Sequence, residues 1–453
     1  MLDLLEGAIA AGRAAGADDV EVSHGARDLG MTRFAGSRLT QAGTVVETTT
    51  RVRVARGRRV GSATTSGLDP EALAETARRA AANAEHSPET ESFPGFARHD
   101  DTKAAGATGV AARTRDCTPR ERAEILAAVF ERAARSGMTC AGAFTSALRR
   151  RMVVTSGGVA VEHALTEAAL SVIALDGRAS GYSVWSGSDV GRLDAARLAD
   201  EAVAGASRAR EPVDFEPGPV DVVLSPSAVA EVCEWMSMGS FSARQVLDGL
   251  SLLTGRRGEP ICDPRISLID DAGYPHPDAV AWPFDTEGTP RRRVALIDAG
   301  RGGEPVSDRP TAAKLGSSAS TGHAAPFGLE LGDEPVPANL VFHPGDASTE
   351  ELVARVERGL YVTRFHYVNG LLDTRRAVMT GMTRDGTFTI ENGKLGRAVG
   401  NLRFTESILE AFGRIDGIGR ELQAIPTHWL MVGNYLCPPL LVRGFKFTGR
   451  SKH

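Results

Sequence analysis

Apolar residues recur along this chain with two periods, and the alternation between them divides it into units. Residues 4–15 and 119–136 carry apolar side chains at helical spacing. Each is followed by short stretches with the two-residue period of a half-buried strand. The first set predicts strands at 19–25, 30–34 and 45–55, closed by 59–64. The second predicts 140–149, 152–155, 159–162 and 168–175, then 181–185, with turns at Ser156-Gly-Gly158 and Asp176-Gly177. A further helix then starts from the same phrase both times. Leu68-Asp-Pro-Glu-Ala-Leu-Ala-Glu-Thr-Ala77 aligns without gaps on Leu193-Asp-Ala-Ala-Arg-Leu-Ala-Asp-Glu-Ala202. Asp69 and Asp194 are placed to accept from free backbone N–H groups, and Pro70 suits a first turn. Helix, meander, helix thus occurs twice, which predicts a duplicated α+β unit.

The pattern breaks at Arg210-Glu-Pro-Val-Asp-Phe-Glu-Pro-Gly-Pro219, where three prolines punctuate the chain. The expected organisation is an α+β unit with its linker at 1–115, a second α+β unit at 116–217, and a mostly antiparallel β domain at 218–453. The linker is 86–114, rich in Ser, Pro, Glu, Gly and Asp. In the last part a strand is expected at 220–224, then a helix at 226–237 capped by Ser225. Short strands such as 266–269 and 293–298 follow between long loops over 255–335. A strand at 340–342, a helix at 348–356, strands at 359–367, 377–383 and 386–391, a helix within 401–411 and a closing strand at 440–444 complete it. The fold class is α+β.

A hydrophobic fraction of 42% is ample for a large core, and a net charge of −5 forces no basic face, so nucleic acid is not an expected partner. The basic runs at 149–151 and 291–293 read as solvated strand ends or turns. No stretch is long and apolar enough for a bilayer, no leader pattern follows Met1, and five cysteines lack C-x-x-C spacing. A reduced, cytoplasmic protein is expected.

Candidate chemistry is sparse. No histidine lies between His163 and His276. The helix Ser225-Pro-Ser-Ala-Val-Ala-Glu-Val-Cys-Glu-Trp-Met-Ser-Met-Gly239 offers Glu231, Cys233 and Glu234 as zinc donors but no imidazole. Its plain reading is a core helix with Val229, Val232, Cys233 and Met236 inward. The loop Gly316-Ser-Ser-Ala-Ser-Thr-Gly-His-Ala-Ala-Pro-Phe-Gly328 is small and polar, so a peptide backbone could approach His323 and Phe327; its serines define no nucleophile–base geometry. Arg364, His366 and Tyr367 could line a groove or stack within a sheet, and Arg384 with Asp385 and Gly386 reads as a tight turn. Cys437 reads as a buried small hydrophobe.

Four phrases carry a resemblance: Leu296-Ile-Asp-Ala-Gly-Arg-Gly-Gly303, Tyr361-Val-Thr-Arg-Phe-His-Tyr-Val-Asn369, Thr380-Gly-Met-Thr-Arg-Asp-Gly-Thr-Phe388 and Asn401-Leu-Arg-Phe-Thr-Glu-Ser407. Together they resemble the TldD/PmbA family, once described as DNA gyrase modulators and now as peptidases. In its TldD branch a helix early in the C-terminal half binds zinc through H-E-x-x-x-H. The stretch 225–239 stands in its place, so the chain is similar to the TldE (PmbA) branch. The resemblance implies a subunit with no catalytic residue, metal or cofactor of its own, and zinc on a TldD-like partner. The pair would process unfolded or short peptides, with this chain completing a chamber and guiding the substrate. His323, Phe327, Arg364, His366 and Arg384 are its candidate substrate contacts. The alternative is a stand-alone homodimer that binds peptides or proteins without cleaving them.

Overall fold

The structure is a computed structural model, and it describes residues 1–90, 92–99, 109–325, 334–430 and 433–451. The two N-terminal units share one plan. The first runs helix Leu2–Ala14, strands Asp19–Ala35, Arg38–Arg56 and Arg59–Thr65, helix Pro70–His86. The second runs helix Pro119–Arg135, strands Thr139–Thr155, Ala160–Asp176 and Ala179–Gly187, helix Ala195–Arg208. Asp69 accepts from the Ala72 N–H and Asp194 from that of Arg197, while Thr118 and Glu121 cap Pro119–Arg135 reciprocally. The first strands of the two units pair antiparallel, from Glu21↔Thr155 to Phe34↔Gly142. The meanders therefore run outward from a shared centre in one six-stranded sheet. Val20 and Val22 lie under the first pair of helices and Phe34 under the second. All three are even positions of one strand, so the four helices cover the same face.

The strands are longer and fewer than the sequence pattern suggests. Gly30 is not a break but lies mid-strand, where a Cβ would stand 2.4 Å from Nη1 of the buried Arg122. Residues 149–151 also lie mid-strand, and Arg151 is buried, with Nη1 donating to the Phe284 carbonyl and its guanidinium 4.3 Å from the Trp282 ring centre. In the other run Arg291 is buried, while Arg292 and Arg293 are exposed just before strand Val294–Asp298, the solvated strand end expected there. Each unit's third strand has a glycine pressed on the closing helix. A Cβ on Gly61 would lie 2.3 Å from the Ala80 carbonyl oxygen and 2.2 Å from the Ala84 nitrogen. One on Gly181 would lie 2.1 Å and 2.3 Å from the same atoms of Ala202 and Ala206. The third strand of the first unit pairs with its neighbour only from Thr50 onward. Positions 38–47 are therefore exposed along an unpaired outer edge, Leu39, Val45 and Val46 among them. Within the expected surface linker Phe96 and Ala97 are buried, and Thr155 donates to the Ala97 carbonyl, while most of its other described positions are at least partly exposed.

From Pro219 onward the chain forms two sheets. In one, Arg358–Asp373 pairs on one side with Pro219–Leu224 and on the other with Val378–Glu391. The pairing continues through Leu402–Ser407 and Leu440–Arg450 back to Pro219–Leu224, so five strands close into a ring. Phe365, Phe404 and Phe445 pack on one another in its core. The other sheet has the order Arg301–Gly302, Val294–Asp298, Leu268–Asp270, Leu340–Phe342, Asn434–Cys437, Gln423–Pro426. Most pairings are antiparallel, as expected; Gly359↔Asp221 and Val341↔Leu436 are parallel. Helix Pro226–Gly239, capped by Ser225, packs against both sheets and is buried from Ala228 onward except at Glu231. The helix expected within 401–411 is the short Ile408–Phe412, ending at Gly413 and preceded by strand Leu402–Ser407. Two local expectations change: helix Arg309–Lys314 interrupts the β-rich stretch, and Arg384–Gly386 kinks a continuous strand instead of turning it. Among the described residues, no helix is long and apolar enough to cross a membrane.

Candidate functional site

Positions 227, 230, 231 and 234 share one face of a helix, and Pro226–Gly239 turns Ser227, Ala230, Glu231 and Glu234 into a cavity of about 430 Å³. Arg364, Phe365, His366 and Tyr367 form a second wall, residues 425–429 a third, and Tyr182 reaches in from the last strand of the N-terminal sheet.

The two carboxyl groups of this helix are held differently. Glu234 accepts backbone N–H groups from His428 at 3.1 Å, Trp429 at 2.7 Å and Leu430 at 2.8 Å, which engages both of its oxygens and pins the loop opposite. Glu231 has no ion-pair partner among the described residues. Burial, then repulsion from Glu234, pushes its pKa up to about 7. The Trp235 and Trp429 indoles oppose that rise, although Trp235 Nε1 makes no well-formed hydrogen bond.

Arg364 is neutralised where it stands. Its Nε donates to Asp385 at 2.8 Å, its Nη2 donates to the same oxygen, and its guanidinium lies 4.3 Å from the centre of the Tyr182 ring. Ser180 donates to the other Asp385 oxygen at 2.7 Å, so this cluster joins the N-terminal sheet to the ring. The backbone is irregular here. Tyr367 has φ 54° and Asp385 φ 53°, and the pairing of the two strands shifts between Val362 and Arg364 and again between His366 and Asn369. Left-handed backbone at such residues costs on the order of 1–3 kcal/mol and gathers at functional surfaces. It leaves Tyr367 78% exposed at the rim, beside Trp429 at 53%. Burial lowers the pKa of His366 and of His428, and the Arg364 charge adds to it in both. Both rings are therefore neutral at neutral pH.

These residues do not fit a zinc centre. Such a centre needs at least three converging protein ligands. Among the described residues no three His, Cys, Asp or Glu side chains converge in that way, and Glu234 is already engaged.

Of the residues singled out by sequence, Arg364 and His366 meet in the cleft. Arg384 pairs in register with Arg364 on the neighbouring strand and does not line the cavity. His323 is elsewhere and fully buried: Nε2 lies 2.8 Å from Asp270 Oδ1 and Nδ1 2.9 Å from the Thr321 carbonyl. Ser320 to Ala325 are buried too, so this part of the expected open loop is closed by its own hydrogen bonds. Phe327 lies outside the described residues. Tyr367, weighed beside Arg364 and His366 as a groove residue, lines the cleft too. Sequence reasoning missed Tyr182, His428 and Trp429, which come from two separate stretches and share no local pattern. The signal available was the pair Glu231 and Glu234 on an otherwise apolar helix.

Residues 217–449 match the family model described as PmbA/TldA metallopeptidase C-terminal domain, and residues 20–84 match PmbA/TldA metallopeptidase domain 1. A metalloprotease of Methanothermobacter thermautotrophicus is 27% identical over 209 residues, 46% of this chain and 44% of that one. A metalloprotease TldD homolog of Haemophilus influenzae is 24% identical over 190 residues, 39% of this chain and 38% of that one. The matched stretch thus spans less than half the length of either relative. TldE from Thermococcus kodakarensis has the same fold, with a TM-score of 0.87 at 20% identity over 98% of this chain and 100% of that one. With the first of these family models covering more than half of its residues, the chain belongs to the TldD/PmbA family of metallopeptidase-like proteins.

Proposed function

We propose that this chain is the TldE-like subunit of a TldD/TldE-type metallopeptidase, holding peptide in the cleft beside Glu231 while a TldD-like partner supplies the zinc. The carrying observation is the cleft itself. It opens onto helix Pro226–Gly239, which the resemblance sets in the place of the H-E-x-x-x-H helix of the TldD branch, and among the described residues its side chains do not converge as metal ligands. With Glu231 in the place of the motif's glutamate, Ala230 and Trp235 occupy the histidine positions. The lining is mainly apolar and aromatic with a few polar groups, the character of a ligand pocket. The bare edge at 38–47 offers backbone groups on which another chain can pair.

Co-expression with a chain carrying H-E-x-x-x-H tests this. The expected result is a one-to-one complex that hydrolyses an unfolded peptide and is stopped by a chelator. The present chain alone is expected to retain no stoichiometric zinc and to hydrolyse nothing. Self-dimers that bind peptide and ignore the zinc chain would instead establish the stand-alone homodimeric reading.

A further inference from the structure

We infer that the cleft recognises a free ammonium group on its peptide, either the α-ammonium of the N-terminus or a lysine side chain, with Glu231 as the counter-ion. This rests on the reading that the cleft takes peptide. The argument is a balance of charges around one cavity. Glu234 is satisfied by three backbone N–H groups, and Arg364 is bound to Asp385 and stacked on Tyr182. His366 and His428 line the wall without charge. Glu231 is left as a largely enclosed carboxyl group with no ion-pair partner among the described residues, facing a space large enough for a ligand. A buried carboxylate without a cation is costly, and a ligand that brings one removes that cost. An incoming carboxylate or phosphate would add to it.

The rim supplies the second observation. Large aromatic side chains are seldom left open to water, yet Tyr367 and Trp429 stand exposed beside this cavity. Aromatic faces attract ammonium groups and also cover the apolar side chain next to one. An apolar, aromatic mouth above a single acidic group suits the end of a peptide that carries a positive charge.

Calorimetric titration of the full chain with three versions of one unstructured pentapeptide lacking acidic side chains tests the inference. The first has a free N-terminus and no lysine, the second is N-acetylated without lysine, and the third is N-acetylated with one lysine. The free-amine peptide, the lysine peptide or both are expected to bind roughly tenfold or more tightly than the acetylated lysine-free one, a gap of about 1.4 kcal/mol or more. The third peptide decides between the two sources of the ammonium. Glu231→Gln, with an unchanged circular-dichroism spectrum, is expected to bring all three within roughly twofold of one another. Equal binding of all three by the native chain, or a preference for an amine-bearing peptide that survives Glu231→Gln, overturns the inference and leaves the cleft as a peptide site. Absence of binding by all three overturns that reading too.

Discussion

Arg53 shows how much can hang on one side chain. Its Nη2 lies 2.7 Å from Glu21 on the neighbouring strand and 2.8 Å from Glu287 in the C-terminal half, and both carboxyl groups are buried. Arg53→Met keeps the apolar stem and removes the charge, leaving two acidic groups facing one another in a dry place. The expected loss is about 3–5 kcal/mol, read as a lower denaturation midpoint in urea. A midpoint within experimental error of the native chain would show that the pair relaxes onto water. At this scale the sequence revealed part of the site. Arg364 and His366 were readable because they sit in a family phrase. His323 was misplaced because a titratable residue among small polar ones looks the same whether the loop is open or tied to Asp270, and a neighbour 53 positions away leaves no local trace.

The N-terminal elements were legible, their lengths less so. Apolar periodicity and the two Leu-Asp helix starts revealed helix, meander, helix twice. The strands were cut too short because Gly30 and the three arginines at 149–151 imitate turns. What carries the strands through is cross-strand contact. Arg149 pairs with Glu167 at 2.7 Å, and Arg122 fills the space over Gly30. The glycines against the closing helices belong to this scale as well. Gly181→Val would drive a branched side chain into the backbone of Ala195–Arg208, where even a Cβ comes within 2.1 Å of a carbonyl oxygen. A loss of about 1–3 kcal/mol or more is expected, visible as a depressed Tm. Gly43→Val, also within a strand but with nothing within 4 Å of its Cβ, is the control for a branched side chain added without a clash.

In the whole molecule the N-terminal sheet and the C-terminal half meet across a dense acidic seam. Burial, then the charge of Glu287, pushes Asp285 up to about 7 and Asp308 up to about 6; burial raises Glu21 also. Each acid holds its proton in the fold to a higher pH than in the unfolded chain, where an aspartate titrates near about 3.9. The folded state therefore binds more protons between these values. This contribution to stability is complete below about pH 4 and is lost as pH rises through about 6–7. Asp285→Asn is expected to flatten the fall in stability between about pH 4 and 7. An unaltered slope in denaturation curves across that window would place its origin elsewhere. The fold class was readable at this scale, but the closed ring was not. It depends on Asp221 meeting Gly359 and on Leu440 meeting Leu224, partners far apart in the chain, and each strand taken singly fits an open sheet equally well.

Closure rids the ring of loose flanks, whereas the segment from Arg38 to Glu47 keeps one. It has a single charge at each end, no proline and three large apolar side chains in water. Such a flank is a template for uncontrolled stacking unless something occupies it. A copy synthesised alone should therefore be sticky, and Val46→Lys should lower its light scattering on storage while leaving Tm unchanged. If so, the cell has a reason to make this polypeptide alongside whatever shields that strip, and a laboratory has a reason to purify the two together.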